Sequence, residues 1–159
     1  MSRNLLFYLM IPLLAFAALL QSTAFPRISF GGVKPDLVLI LIIAGALIYD
    51  GSSSIGWAFV GGLALDIFSG GPLGASSLAL MSTAFVIAIG TPGLSRYHLL
   101  VPLGSIFLGT LIYSFVYLTV LAALGRGLPL TETLEGIVLP ALVYNTMVML
   151  LLTPLLNRI

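Results

Sequence analysis

The chain contains no cysteine, one histidine and few charged residues of either sign. The absence of cysteine excludes disulfides, thiolate metal sites and a cysteine nucleophile. Charged residues make up 7% of the 159 positions, where an ordinary soluble domain has about a quarter. Six Lys and Arg against five Asp and Glu give a net charge of +1, too little for the basic surface that nonspecific nucleic-acid binding requires. Nucleic acid is therefore excluded as a main partner, and the protein is expected to act in or at a membrane.

The sequence also lacks the common catalytic motifs. It has no His-Glu-x-x-His, no Gly-x-Ser-x-Gly and no serine and histidine pair with an orienting acid. The single histidine, His98, follows Arg96 and Tyr97 and is interpreted as an anchor at the level of the lipid headgroups. We predict a protein that is not an enzyme and that uses no cofactor and no metal.

Apolar residues, in contrast, are abundant, at 60% of the chain with a mean hydropathy of +1.21. The apolar runs are continuous, which predicts helices rather than barrel strands, whose lumen-facing positions must be polar. We predict one all-α transmembrane domain over residues 1–159, a six-helix bundle with approximate helices 5–25, 36–49, 55–68, 73–90, 99–124 and 137–156. The first run continues to Phe25, which favours a membrane span over a cleaved secretion signal.

The second and third predicted helices are short. About 14 residues at about 1.5 Å each cover only about 21 Å of a hydrocarbon layer that is about 30 Å thick. Either these helices sit inside the bundle behind longer ones, or they form a re-entrant hairpin that turns at residues 50–54, where Asp50 opens the turn and Ser52 to Ser54 cap the next helix. Orientation is not decided by charge, because the two sides carry three basic residues each.

Two carboxylates stand out as candidate structural or partner-binding residues. Asp36 follows a proline at the start of the second helix, where a carboxylate faces the positive end of the helix dipole; it is either a helix N-terminal signal or a partner contact. Asp66 lies at membrane depth near the end of the third helix and shares a face with Ala58 and Gly62. It points into the bundle, toward the N–H groups of the turn at Ser69 to Gly71 or the hydroxyls of Ser76 and Ser77. It either ties this turn or forms a proton or ligand site.

Four further features are candidates for packing or partner binding. Gly70 and Pro72 mark the turn after Asp66. Ser105, Gly109, Tyr113 and Tyr117 form a stripe on the fifth helix that serves bundle packing or docking of another helix. Asn145 lies near the middle of the sixth helix, where its amide needs a hydrogen-bond partner. Finally, the short helices should leave a recess in the bundle surface. This predicted groove is rimmed by Tyr49, Trp57 and the loop at 31–36, has Gly62 in its wall, and accepts either a partner or membrane lipid.

Two stretches carry a resemblance to a known family. Residues 31–37 (GGVKPDL) and residues 61–74 (GGLALDIFSGGPLG) look like the bacterial rod shape-determining protein MreD family, and length, helix count and loop sizes agree along the whole chain. After Gly90 the resemblance is that of generic hydrophobic helices.

The resemblance implies a scaffold subunit of the cell-elongation complex (elongasome) in the cytoplasmic (inner) membrane, with cytoplasmic termini. Its implied direct partner is MreC, with MreB, RodA and a class B penicillin-binding protein in the same complex that supports lateral peptidoglycan synthesis. The family is also similar in fold to the substrate-binding subunits of energy-coupling-factor transporters, so the alternative function is vitamin-type transport. Because polar residues at depth are few, we expect no tight small-molecule site.

Overall fold

In the computed structural model, residues 3–24, 34–49, 51–94 and 98–158 are described, and within these ranges the chain is helical with no strand. Six helices follow one another: α1 (Arg3–Thr23), α2 (Leu37–Ile48), α3 (Gly51–Ser69), α4 (Ala75–Gly90), α5 (Leu100–Ala123) and α6 (Leu130–Leu156). The predicted positions of Asp50, Arg96, Tyr97 and the loop residues 31–33 lie outside the described residues. The predicted six-helix, all-α architecture is confirmed.

Helix α2 is the centre of the bundle. Eight of its twelve residues are buried, and it packs against α1, α3, α4, α5 and α6. Its sequence is apolar all round, which is the pattern of a helix enclosed by others rather than of one that faces two environments. At about 1.5 Å per residue it is only about 18 Å long, so its ends lie inside the depth of its longer neighbours. The interior position that we considered for a short second helix is the one observed.

The third helix is longer than predicted. It begins at Gly51 rather than at residue 55, so Ser52 to Ser54 lie inside the helix and do not precede it as caps. The hydroxyl of Ser54 donates to the carbonyl of Gly51, 2.7 Å away, and such local bonding lets serine sit inside a helix without an unpaired polar group. The two short helices are therefore α2 and α4, not α2 and α3.

The sixth helix also starts earlier than predicted, at Leu130 rather than at residue 137. Its first turn, Leu130–Thr133, leads into a π-turn, Leu134–Val138, in which the N–H of Leu139 donates to the carbonyl of Leu134. The regular helix Leu139–Leu156 follows. Pro140 stands just after the π-turn and has no N–H to continue the normal ladder, which explains why the helix widens at this point.

Glycine sets the distance between α3 and α4. A Cβ atom on Gly62 would overlap the backbone of Ser76 and Ser77, so the two helices approach with only a hydrogen atom between them. The hydroxyl of Ser77 donates to the carbonyl of Phe59, 3.2 Å away, across the same contact. Gly62 is thus part of a helix interface and does not form the wall of an open groove.

The predicted groove at Tyr49 and Trp57 is absent from the described residues. Trp57 is 1% exposed, with its ring stacked on Phe7 at 6.1 Å and met edge-on by Tyr49 at 5.8 Å. Asp36 lies at the other end of α2 from Tyr49, so these residues cannot rim one recess. The longer α3 fills the space that a short third helix would have left.

Four helices are long and apolar enough to cross a membrane: α1 from Asn4, α3, α5 and α6. Large apolar side chains remain exposed along them, as expected where the surroundings are lipid rather than water. The chain is a multi-pass membrane protein.

Replacing Gly62 with Ala should destabilise the bundle, because the added methyl group meets backbone that cannot rotate away. Overpacking of this kind costs about 1 to 3 kcal/mol of unfolding free energy. Gly104→Ala on α5 is the matched control, since nothing lies within 4 Å of its Cβ position. Thermal unfolding of both variants in detergent checks this, and equal melting temperatures would contradict the close contact.

Candidate functional site

A cavity of about 350 Å³ lies beside the start of α2, and every helix contributes to its wall or to the residues that support it. Ten of its fourteen lining residues are polar, and they are Gln21, Lys34, Asp36, Ser69, Ser76, Thr110, Tyr113, Ser114, Tyr117 and Asn145. We name this space the polar cavity. A space with several convergent polar groups forms because helices that are apolar on average bring their few polar residues to one place. The expectation of no tight small-molecule site concerns binding and stays a prediction.

The start of α2 is held by side chains from other helices. The carboxylate of Asp36 accepts from the N–H of Leu39 at 3.1 Å, which makes Asp36 the N-cap that its position after a proline predicts. Gln21, near the end of α1, donates from its amide to Asp36 at 3.1 Å and accepts from the N–H of Val38 at 3.2 Å. One glutamine therefore pairs both with the cap and with the first turn of α2.

Asn145 completes this network from α6. Its side-chain oxygen accepts from the backbone N–H of Asp36 at 2.8 Å, and its amide nitrogen donates to the hydroxyl of Thr110 on α5 at 3.1 Å. Both side chains are buried. The partner that an amide at this depth requires is thus the main chain at the start of α2.

The polar cavity contains one cation and one carboxylate. The ammonium of Lys34 donates to the backbone carbonyl of Gln21 at 2.9 Å, so it lies at the end of α1 with two further donor directions. The carboxylate of Asp36 lies in the same cavity and accepts from the N–H of Leu39 and the amide of Gln21. The cavity consequently offers donors, acceptors and both signs of charge.

Asp66 supports the wall of the polar cavity from α3. It is 1% exposed and accepts from the backbone N–H groups of Gly74 at 2.8 Å and Ser76 at 3.1 Å. These groups belong to the start of α4, whereas the predicted donors were the N–H groups of Ser69 to Gly71 or the hydroxyls of Ser76 and Ser77. A helix start has unpaired N–H groups and a positive dipole end, which makes it a better partner for a buried carboxylate than a turn.

The turn between α3 and α4 places these donors. Gly70 and Gly74 adopt positive φ angles of 69° and 93°, and the carbonyl of Pro72 accepts from the N–H of Ala75 at 3.2 Å. Gly74 is the residue just before α4, where its left-handed conformation turns its N–H toward Asp66. Gly70 and Pro72 therefore shape the loop and lie outside the cavity lining.

The stripe on α5 divides into two parts. Ser105 is buried, and Gly109 packs so closely that a Cβ would overlap the side chain of Ile43 on α2. Tyr113 and Tyr117 continue the stripe into the polar cavity, where their rings stack at 5.8 Å with planes 9° apart. Bundle packing therefore accounts for Ser105 and Gly109, whereas Tyr113 and Tyr117 line the polar cavity.

Of the predicted candidates, the structure brings Asp36, Tyr113, Tyr117 and Asn145 together in the polar cavity, with Asp66 behind its wall. Trp57 and Gly62 lie elsewhere, in the core and at the contact of α3 with α4. Sequence reasoning missed Gln21, Lys34 and Thr110. Thr110 is a lone polar residue in an apolar run, whereas Gln21 and Lys34 stand where apolar runs end and begin, and these positions were the available signal.

Comparison with known proteins decides the family. The family profile of the rod shape-determining protein MreD matches residues 1–158, essentially the whole chain. The chain belongs to the MreD family. No curated protein and no solved structure matches it, so the predicted likeness to energy-coupling-factor substrate-binding subunits stays a prediction.

Membership in the MreD family gives this protein a role in rod shape determination. The family is one of shape-determining proteins and is not a known enzyme family. In this MreD-family chain the polar cavity is the feature in which side chains from α1, α4, α5 and α6 and the start of α2 converge.

Removing the amide of Asn145 should destabilise the protein. In Asn145→Ala the N–H of Asp36 loses its acceptor, and an unpaired buried donor costs about 1 to 3 kcal/mol, toward the lower end in membranes. Thr146→Val is the matched control on the next residue, because the Thr146 hydroxyl is buried without a hydrogen-bond partner. We expect Thr146→Val to melt within a few degrees of wild type. An equal loss in both variants would contradict the network.

Replacing Asp66 should also lower the free energy of unfolding, by an amount that depends on the acceptor atoms that remain. Asp66→Ala leaves the N–H groups of Gly74 and Ser76 without acceptors and should lose about 1 to 3 kcal/mol of unfolding free energy. Asp66→Asn keeps one acceptor oxygen and should fall between Ala and wild type. Unfolding in detergent measures the order, and an Asn variant no better than Ala would show that charge, rather than the number of hydrogen bonds, is what α4 requires.

Proposed function

We propose that this MreD-family protein is a non-enzymatic membrane scaffold of the elongasome that binds MreC in the inner membrane. Through MreC it belongs to one complex with MreB, RodA and a class B penicillin-binding protein and supports lateral peptidoglycan synthesis. Family membership supports the shape-determining role, and the polar cavity is the single observation that carries the binding role. The cavity is the docking site for a membrane-proximal segment of the partner.

The chemistry of the polar cavity suits a polypeptide. A peptide backbone presents N–H donors and carbonyl acceptors in alternation, and both need partners when removed from water. The cavity supplies hydroxyls, amides, one ammonium and one carboxylate within about 350 Å³. The network around Asp36 and Asn145 fixes these groups in the free protein, so little ordering remains to oppose binding.

The place of the cavity in the bundle agrees with this role. Gln21 near the end of α1 and Gly136 near the start of α6 both line it, so the chain termini lie toward the opposite end of the bundle. With the termini cytoplasmic, as we propose, the cavity faces the outer side of the inner membrane. A membrane-anchored partner would emerge there from the bilayer and reach the cavity with its first residues.

A second candidate function is small-molecule binding of the vitamin-transporter type. The same cavity favours it, because ligand sites are concave spaces of about 300 to 1,000 Å³ with a few well-placed polar groups. The two functions differ in the occupant that should be found. Mass spectrometry of the protein purified in mild detergent distinguishes a retained small molecule from a retained protein.

Filling the polar cavity should abolish partner binding without unfolding the bundle. Ala141 lines the cavity and is partly exposed to it, so Ala141→Trp places an indole in empty space rather than in the core. We expect the yield of co-purified MreC to fall at least tenfold with a melting temperature near that of wild type. Ala123→Trp on exposed α5 surface is the matched control.

The yield of MreC and the melting temperature together test the proposal. Wild-type yields of MreC with Ala141→Trp, in a protein that melts normally, would show that docking occurs elsewhere. Micromolar binding of a vitamin that Ala141→Trp removes, with no effect on MreC, would favour the transporter-type function instead.

A further inference from the structure

The first turns of α6 separate two open spaces. On one side, Gly136 and Ile137 line the polar cavity. On the other side, Thr133, Leu134 and Val138 line a groove of about 510 Å³ between α6 and α5. We name it the apolar groove, since its wall is mainly Leu111, Phe115, Leu118, Ala122, Leu128 and Leu130.

The two spaces meet at α5. Ser114 lines both of them, and residues of the first turns of α6 line each on its own side, so these turns lie between the groove and the cavity. The apolar groove lies among side chains exposed on the outside of the bundle, including Phe115 and Leu130. A displacement of residues 130–138 away from α5 would therefore join the lipid-facing surface to the polar cavity.

Residues 130–138 are loosely packed for a helical segment. Leu130 is 79% exposed and Leu134 is 52% exposed, and of the nine residues only Thr133 and Val138 are buried. Few close contacts and open space on both sides are the features of a segment with low local stability. The rest of α6, from Leu139 onward, is anchored through Leu142, Asn145, Met149 and Thr153.

Both ends of the segment have a feature that can act as a hinge. The π-turn at Leu134–Val138 is followed by Pro140, which leaves the normal hydrogen-bond ladder incomplete. Before the segment, Gly125 adopts a positive φ of 74° in the loop after α5. Hinge motions concentrate at such element ends, where a few residues absorb the change in backbone angles.

We propose that residues 130–138 are a lateral gate, which opens from the bilayer to the polar cavity by swinging away from α5 about its C-terminal end, where Pro140 follows the π-turn. The proposal rests on the proposed function, since it names the route by which the cavity is occupied. It makes the occupant the membrane-proximal segment of the partner, which enters sideways from the bilayer, rather than a solute that arrives from water. The π-turn sets the register in which Gly136 faces the cavity while Leu134 faces the groove.

Cross-linking tests the gate in a chain that has no cysteine of its own. Leu118→Cys and Leu134→Cys place one thiol on each wall of the apolar groove, and a short bis-methanethiosulfonate reagent links them. A third cysteine, Ser76→Cys, reports on the cavity after the first two are linked, since Ser76 lines the cavity and is 3% exposed. We expect linkage to lower the labelling rate of Ser76→Cys by a lipid-soluble maleimide at least fivefold, with the rate of a small water-soluble maleimide unchanged.

The outcomes are distinct. An unchanged rate for the lipid-soluble reagent would overturn the gate, and so would a pair that cannot be linked, since the walls would then stand apart permanently. The Ser76→Cys variant without the pair is the control for the reagent itself.

Binding of MreC separates the gate from the proposed function. The unlinked variant with only Leu118→Cys and Leu134→Cys should co-purify with MreC, because neither residue lines the polar cavity. Linkage before mixing should lower that yield at least tenfold, while linkage after mixing should preserve it. Failure of the unlinked variant, with the wild-type chain failing as well, contradicts the proposed function. Binding by unlinked and pre-linked protein alike contradicts the gate alone.

Discussion

Helix α2 begins inside the bundle, where its first N–H groups have no preceding helical turn to pair with. In a low-dielectric interior each unpaired group would cost several kcal/mol, on the order of 2 to 7. The structure meets this requirement with side chains from three places: Asp36 at the helix start, Gln21 on α1 and Asn145 on α6. The polar network exists because the central helix is short. The hydrogen bonds of this network position α1, α5 and α6.

The other short helix has the same problem and a similar solution. The start of α4 is paired by the carboxylate of Asp66, which reaches across from α3. The close contact at Gly62 brings α3 near enough for this, and the left-handed Gly74 presents its N–H. Both capped helix starts lie at the same end of the bundle, so their supporting polar groups surround one space. The polar cavity follows from the capping of two short helices rather than from a separate binding motif.

A site of this origin suits recognition. Its groups are already paired in part, which makes them rigid, while Lys34, Tyr113 and Tyr117 line its open volume. This origin of the cavity also explains why some of its residues can be changed without loss of stability and others cannot. Asn145 and Asp66 hold the bundle, whereas Ala141 borders the cavity without supporting a helix start. The loosely packed start of α6 borders this space from the side.

The sequence by itself determined the membrane class, the six helices, the capping role of Asp36 and the family, since these depend on composition, local propensity and short motifs. It did not determine where α3 and α6 begin, because a serine run and a Thr-Glu-Thr stretch are turn-like in isolation and become helical once packing and local hydrogen bonds satisfy them. Nor did it place Gln21 and Thr110 beside Asn145, or Trp57 in the core. Only tertiary structure decides which of the few polar side chains converge, because each helix is too uniformly apolar to show its buried face, and the pairing depends on how far each helix extends through the bundle.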